Sequence, residues 1–433
     1  MSEWQTLSLG KAGVRLIDCV HKTPAALSDG YAYVAIPDMK SGHISFDNAR
    51  RISDSDFAEW TKKAKPQAHD VILSRRTNPG VTAVDTTNTP FALGQNLVLL
   101  RADGRSVFPP FLRWLCLSPA WWEQIEKYIN VGAVFSSLRC GDVPNFELPI
   151  PPLFEQREIA AILGALDDKI ELNRKTAATL EEMARALYRS WFVDFDPVRA
   201  RTEGRTSAHM DPTTAALFPD SFGEDGLPVG WTLGAFGTVC KQMKQTVKPM
   251  EATDADFWHF SLPAFDSGRA PTFEQGAQIK SNKLFVPNDA ILFSRLNPSI
   301  PRVWWARSDH AKGIPAASTE FFVAVARSEK ETPWLYCLLS SPEFQEQAVS
   351  RVTGTSNSHQ RVSATALSDI GITTPAVEII AAFGNATVDW FERIHALGEE
   401  NCALATLRDT LLPRLMSGEL RVGAAREFVE EVA

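Results

Sequence analysis

The sequence has no run of eighteen apolar residues, the length a helix needs to cross a bilayer, so no membrane span is expected. Its opening, MSEWQTLSLGKAG, lacks the basic and apolar regions of a secretory signal. Cysteine is sparse: Cys19, Cys116, Cys140, Cys240, Cys337 and Cys402 form no CxxC pair. Reduced thiols in a cytoplasmic protein are therefore expected. The histidines do not group at metal-ligand spacing, and no metal site is expected. A GxGxxG after a strand and a GxxxxGK followed by Ser or Thr are both missing. No Asn/Asp-Pro-Pro-aromatic tetrapeptide occurs either, because Phe108-Pro109-Pro110-Phe111 lacks the polar first residue. With these motifs absent, the chain's own chemistry should be binding alone. An excess of positive charge is lacking as well. The formal charge of −8 argues against coating nucleic acid non-specifically, though it leaves room for a local basic face.

What is present is organised around Pro151 to Trp191, in the middle of 433 residues, a length that suggests two to four domains. Pro151 and Pro152 punctuate its start, and no proline follows until Pro197. Ile159, Leu163, Leu166, Ile170, Ala177, Leu180, Ala184, Leu187 and Trp191 fall in alternating steps of four and three, with Asn173 in the gap. That is a heptad seam, and it asks for a partner helix. Asp167, Asp168 and Glu171 read as a solvated face of this helix.

Two mixed α/β segments flank it, and they repeat each other. Asp70-Val-Ile-Leu and Asn96-Leu-Val-Leu-Leu read as strands. Phe111 to Tyr128 reads as two helices broken at Ser118-Pro119. Trp4 and Gly10 return as Trp231 and Gly237. Asp70-Val-Ile-Leu-Ser-Arg-Arg-Thr-Asn-Pro returns as Asp289-Ala-Ile-Leu-Phe-Ser-Arg-Leu-Asn-Pro, which without a gap pairs Arg76 with Arg295 and Asn78 with Asn297. Ser118-Pro119 returns as Ser341-Pro342, and Gly132 with Arg139 as Gly354 with Arg361. The stretch WFVDFDPVRARTEGRTSAHMDP loses periodicity and reads as an extended crossing or linker.

A second helix then follows Pro375. Phe383, Trp390, Ile394, Leu397, Leu404 and Leu411 carry its stripe, Asn401 fills a gap like that of Asn173, and Pro413 ends it. The expectation is an α+β chain: two similar mixed α/β domains separated by two long helices that form an antiparallel coiled coil, with a pseudo-twofold internal repeat. The expected segments are 1–151, 152–208, 209–375 and 376–433. About 35 residues at 1.5 Å give a rod of roughly 50 Å. The two asparagines either fix the register of the seam or sit at its edge.

The half-repeats joined by PPLFEQREIAAILGALDDKIELNRK, followed by LYRSWFVDFDPVRA, resemble the specificity subunits of type I restriction-modification enzymes. RDTLLPRLMSGELRV resembles the distal conserved region of that family, and the resemblance covers the whole chain. The second spacer opens with Thr-Pro-Ala-Val-Glu and lacks the Glu155-Gln156-Arg157 of the first. The resemblance implies two target-recognition domains, each reading half of a bipartite asymmetric site on double-stranded DNA. The helices would set the spacing between half-sites and dock two methyltransferase (modification) subunits. Restriction subunits would join for cleavage. S-adenosylmethionine, ATP and Mg belong to those partners, and this chain would hold no cofactor. The rival expectation is a coiled-coil scaffold or adaptor joining two protein-binding domains without a DNA role.

Candidate DNA contacts follow from residue type. Arg75, Arg76 and Asn78, with Arg295 and Asn297, are loop residues able to bond guanine or adenine edges. Being shared between halves, Arg76 and Arg295 suit phosphate positioning or fold support better than discrimination. Ser358, His359, Gln360 and Arg361 lie in a polar loop whose counterpart, ending at Arg139, differs where a second specificity requires it. Lys241 and Lys244 are placed to clamp phosphates. Trp121-Trp122 and Trp304-Trp305 read as core. For partner subunits the candidates are Glu155, Gln156 and Arg157 of the first spacer motif and Arg414 and Leu415 of the distal one. Trp191, Phe192 and Phe195 pack either on the distal domain or on a methyltransferase subunit.

Overall fold

The structure, a computed structural model, describes residues 4–40, 42–130, 136–207, 210–307, 313–353 and 360–432, the last five by backbone alone. It divides into two compact units, Met1–Glu171 with Ala403–Ala433, and Leu172–Cys402. Both cuts fall inside long helices, Leu153–Phe192 and Val377–Met416, each of 40 residues and hence about 60 Å long. The units therefore do not coincide with the four segments expected from the sequence: each helix gives half of its stripe to either core.

In the first unit a six-stranded sheet runs in the order Val14–Asp18, Leu97–Ala102, Val71–Ser74, Thr82–Val84, His43–Ile44, Met39–Lys40. Its central strands are buried on both faces. Val71, Leu73, Val98 and Leu100 face a core with the helices Pro109–Leu115 and Pro119–Tyr128. Ile159, Leu163, Leu166 and Ile170 join that core from the first long helix, and Leu404, Leu407, Leu411 and Leu415 from the second. Ile72, Leu97 and Leu99 face the opposite way, onto Ala32, Val34 and Phe91 of a small sheet, Arg50–Ile52, Tyr31–Val34 and Phe91–Leu93. Ser118 caps the second short helix by accepting from the Trp121 N–H at 3.2 Å, as the helix-break reading requires.

The second unit repeats the plan. Its strands Cys240–Gln242, Phe321–Ala326, Ala290–Ser294 and Val303–Ala306 follow the same order. Ser341 caps the helix Pro342–Ser350 from the Phe344 N–H, also at 3.2 Å. The core here takes Ala184, Tyr188, Trp191 and Phe192 from the first long helix and Ile379, Ile380, Phe383 and Phe391 from the second. In both units the later part of one helix meets the earlier part of the other, so the pairing is antiparallel. Asn173 is buried, and its amide donates to the Asn401 side chain at 3.1 Å, so the two gaps in the stripes face each other. A further sheet, Thr246–Val247, Lys283–Phe285, Ile314–Ala317, Asp256–Phe260 and Thr272–Gln275, completes the unit.

Strand pairing corrects the gapless alignment of the repeats. Leu97 lies opposite Ser74, and Phe321 opposite Ser294. Ser294 is thus the equivalent of Ser74, Arg295 of Arg75, and Ala290 of Asp70. The sequence pairing of Arg76 with Arg295 is one residue out of step. Because successive strand residues point to opposite faces, that slip would have placed Ile72, which faces away from the helices, with Ile291, which faces them. A strand buried on both sides is apolar throughout, and its register leaves no mark in the sequence.

Two expectations about the helix ends also change. Pro413 does not end the second helix, which continues to Met416. The ring removes one hydrogen bond, but Leu411, Leu415 and Met416 are buried and hold the last turn in place. The stretch after Trp191, expected to be extended, contains the helix Asp196–Thr202 with Pro197 in its first turn, where a missing N–H costs nothing. Val198 and Ala200 are buried, and the Arg201 guanidinium donates to the Ala216 carbonyl at 3.0 Å. Among the described residues no helix is long and apolar enough to cross a membrane.

Candidate nucleic-acid interface

In each unit one strand of the main sheet ends in a loop that a later segment fastens by the same hydrogen bonds. In the first unit the Ser74 hydroxyl donates to the Arg76 carbonyl at 2.9 Å, the Arg75 N–H donates to the Asn96 carbonyl at 2.9 Å, and the Leu138 N–H donates to the Arg75 carbonyl at 2.9 Å. In the second the Ser294 hydroxyl donates to the Leu296 carbonyl at 2.9 Å, the Arg295 N–H to the Glu320 carbonyl at 2.8 Å, and the Val362 N–H to the Arg295 carbonyl at 3.0 Å. Backbone bridges join Arg76 with Ser137 and Leu296 with Arg361. So Arg75, Arg76 and Asn78 lie beside the segment leading to Arg139. Arg295 and Asn297 lie beside Gln360 and Arg361, with the Asn297 N–H donating to the Gln360 carbonyl at 2.8 Å. The bridge equates Arg361 with Ser137, not with Arg139 as the gapless repeat has it.

The side chains at these positions behave differently. Arg76, Asn78 and Arg139 are exposed. Arg75 is half-buried, and its Nε has no hydrogen-bond partner. It lies near Cys19, whose thiol burial pushes up, with Asp18 adding to the rise and Arg75 opposing it. The Arg295 guanidinium donates to the Thr319 carbonyl, which is the fold-support alternative. Arg361 pairs with Glu320 at 2.6 Å but stays 57% exposed. Lys241 and Lys244 are exposed at the edge strand Cys240–Gln242 and beyond it. Ser358 and His359 lie outside the described residues.

The candidates for partner contact divide more sharply. Gln156 is fully buried: its amide donates to the Ser106 and Pro151 carbonyls at 2.7 Å, and its carbonyl oxygen accepts from the Phe108 N–H at 2.7 Å. It fastens the helix start to its own domain and presents nothing to a partner, which corrects that expectation. Glu155 is buried and accepts from the Trp4 indole N–H at 3.0 Å. Leu415 is buried in the first core. Trp191 and Phe192 are buried in the second, beside Phe383 and Trp231, and Phe195 meets Trp231 edge-on. That decides for the distal domain over a partner subunit. Arg157 and Arg414 remain exposed. Trp121, Trp304 and Trp305 are core, whereas Trp122 is 38% exposed.

Asp167 is not solvated. It is buried, its carboxylate bonded by the Arg113 guanidinium and, at 2.7 Å, by Arg408, with His43 Nε2 at 3.5 Å. Burial pushes this carboxyl up, but His43, Arg113 and Arg408 outweigh it and hold it well below the usual carboxylate range. Ligand-type atoms of Asp18, Cys19 and His21 do come within 4.8 Å of one another, which the spacing argument passed over. His21 Nε2 is engaged by the Asp18 carboxylate at 3.0 Å.

Sequence reasoning missed a second feature of the second unit. A cavity of about 640 Å³ is lined by His259, Ser261, Thr272, Glu274, Lys283 and Ser318, among others. These residues are scattered over sixty positions, and no contiguous signal connects them. Exposed apolar side chains on the two long helices are a further addition: Phe154, Leu172, Met183, Val377 and Val388.

Residues 21–182 match the family model for the type I restriction modification DNA specificity domain. Over 481 aligned residues the chain is 25% identical to the type I restriction enzyme HindI specificity subunit of Haemophilus influenzae, covering 97% of this chain and 100% of that one. It is also 25% identical over 393 residues to the MjaIX specificity subunit of Methanocaldococcus jannaschii, covering 86% and 82%. The crystal structure of a type I restriction-modification S subunit from M. genitalium superposes with a TM-score of 0.51 over 95% of this chain and 96% of that one, at 15% identity, a likeness of fold.

Proposed function

We propose that the chain is a specificity subunit of a type I restriction-modification system, a DNA-recognising component that leaves the catalysis to its partners, and that it reads a bipartite site. Each unit binds one half of an asymmetric double-stranded site. The two long helices set the distance between the halves and dock two modification subunits, and restriction subunits join that assembly. Methyl transfer with S-adenosylmethionine and cleavage with ATP and Mg belong to those partners, in the cytoplasm. One observation carries the reading: the same pair of loops is fastened by the same backbone bonds in both units, while the side chains on it differ. Arg361 and Glu320 stand where the first unit has Ser137 and Asn96. Two copies of one scaffold with unlike side chains are what two unlike half-sites require. Exposed Arg76, Asn78 and Arg139 supply groups for phosphates and base edges.

Support for docking comes from the apolar residues exposed on the helices, from Arg157 and Arg414, and from a cavity of about 250 Å³ in the first unit lined by Trp4, Phe154, Glu155 and Leu415. Methylome sequencing of the host with and without this gene is the test. The expected result is loss of one split methyladenine motif. An unchanged methylome, with the methyltransferase expressed, favours the scaffold reading instead.

A further inference from the structure

The cavity in the second unit has a donor and acceptor pattern of its own. His259 Nδ1 faces the Glu274 carboxylate at 3.3 Å, and the Thr272 hydroxyl bonds the same carboxylate oxygen at 2.6 Å. Burial pushes the Glu274 carboxyl up, but Thr272 and His259 outweigh it and hold it below its ordinary value, so it is ionised and can only accept. The proton between them therefore sits on Nδ1. Burial lowers the His259 imidazole more than Glu274 raises it, and the ring is neutral. Its Nε2 is then an acceptor; it is buried and has no partner. Lys283 is 7% exposed and donates to the Ser281 hydroxyl at 2.7 Å and to the Ser281 carbonyl at 3.3 Å, which leaves one ammonium proton for the cavity. The hydroxyl of Ser318 adds a group that can donate or accept.

This arrangement fits a base edge better than a phosphate. A phosphate offers only acceptors, and an acceptor nitrogen facing it repels. The edges of adenine and cytosine carry an exocyclic amino donor, and that of adenine has a ring-nitrogen acceptor beside it. Connectivity points the same way. The Ser318–Glu320 turn has Ser318 in the cavity, while the Thr319 carbonyl holds Arg295 and the Glu320 carboxylate holds Arg361. The cavity and the fastened loops thus flank one three-residue turn.

The first unit lacks the feature. Pairing of Tyr33 with Ala92 and of His259 with Ala316 makes Tyr33 the equivalent of His259. The Tyr33 hydroxyl is already used: it donates to the Lys22 carbonyl at 3.2 Å and accepts from the Gln95 N–H at 3.1 Å. Gly94 stands for Ser318, since the Gly94 N–H donates to the Val34 carbonyl as the Ser318 N–H does to that of Phe260. Among the described residues, no strand of the first unit matches Lys283–Phe285 beside Phe91–Leu93. Positions shared by both units cannot separate two half-sites, and positions peculiar to one can.

We propose that this cavity is a specificity pocket of the second unit, in which His259 Nε2 accepts a hydrogen bond from the exocyclic amino group of a base and Lys283 or Ser318 bonds the neighbouring edge. The proposal rests on the DNA-recognition reading above. The test uses the chain assembled with its methyltransferase partner and a duplex library randomised at each position of both half-sites. His259→Phe should lower preference about tenfold or more at one base pair of one half-site, leaving the other half-site as it was. His259→Gln, which keeps an acceptor, should retain part of that preference, and Lys283→Met should act on the same half-site. Unchanged preferences in all three variants overturn the proposal, as does an equal loss for every sequence. If His259→Phe does not assemble, His259→Gln and Lys283→Met decide by the same criterion. A wild-type complex without any sequence preference would sink the DNA-recognition reading itself.

Discussion

At the scale of single residues, Asp167 shows what buried charge does here. Two guanidinium groups and an imidazole converge on it, Arg113 from the helix Pro109–Leu115 and Arg408 from the second long helix. Replacing a member of such a knot leaves the rest unpaired away from water, so Asp167→Asn should destabilise the first unit by about 3 kcal/mol at neutral pH. The pH dependence follows from the depressed carboxyl. Its stabilisation is complete above the unfolded value of about 3.9 and is lost as the pH falls toward the lower folded value. Urea midpoints of wild type and variant, compared from pH 7 to pH 3, should therefore converge below about pH 4. Midpoints separated by the same amount throughout would show that Asp167 is not the group responsible. Glu181 has a similar place in the second unit, bonded by Arg185, Arg269 and Tyr336.

At the scale of elements, the long helices show how local sequence and tertiary packing divide the work. The heptad stripes were legible, and so were the gaps at Asn173 and Asn401, because one polar residue in a stripe is a local pattern; that the two side chains meet is a tertiary fact. Burial places Asn173 inside the seam, while its partner Asn401 is half-buried. Glycines within the second helix divide in the same way. A Cβ on Gly384 would lie 2.0 Å from the Lys330 carbonyl oxygen, whereas one on Gly398 would meet nothing within 4 Å. Gly384→Ala should cost about 1–3 kcal/mol by forcing helix and turn apart. Gly398→Ala should gain up to about 1 kcal/mol, because alanine loses less entropy in a helix. Thermal melts of the two variants check this, and equal shifts would refute the close approach. Trp4 and Trp231 mark another difference between the halves. The Trp4 indole finds Glu155, while the second spacer has no Glu-Gln-Arg and the Trp231 N–H is buried without a partner.

At the scale of the whole molecule, the ruler reading makes a geometric demand. Four extra residues lengthen a helix by about 6 Å, close to two base-pair steps of B-DNA. Inserting four residues into both long helices, at facing positions near Asn173 and Asn401, should shift the methylated motif to half-sites about two base pairs farther apart. Each half-sequence should stay the same. Methylation of the original spacing alone would count against the helices as the ruler.

The sequence by itself determined the two-fold repeat, the antiparallel helix pair, the capped helix breaks and the candidate loops, all of which rest on local spacing or on similarity between distant segments. Tertiary structure alone decided the register of the repeats, since strands buried on both faces look alike after a one-residue slip. It also decided the burial of Gln156 and Asp167, because polarity does not reveal whether a partner waits inside. The His259 cavity belongs with these: its groups come from five strands and turns, and only sheet pairing brings them together.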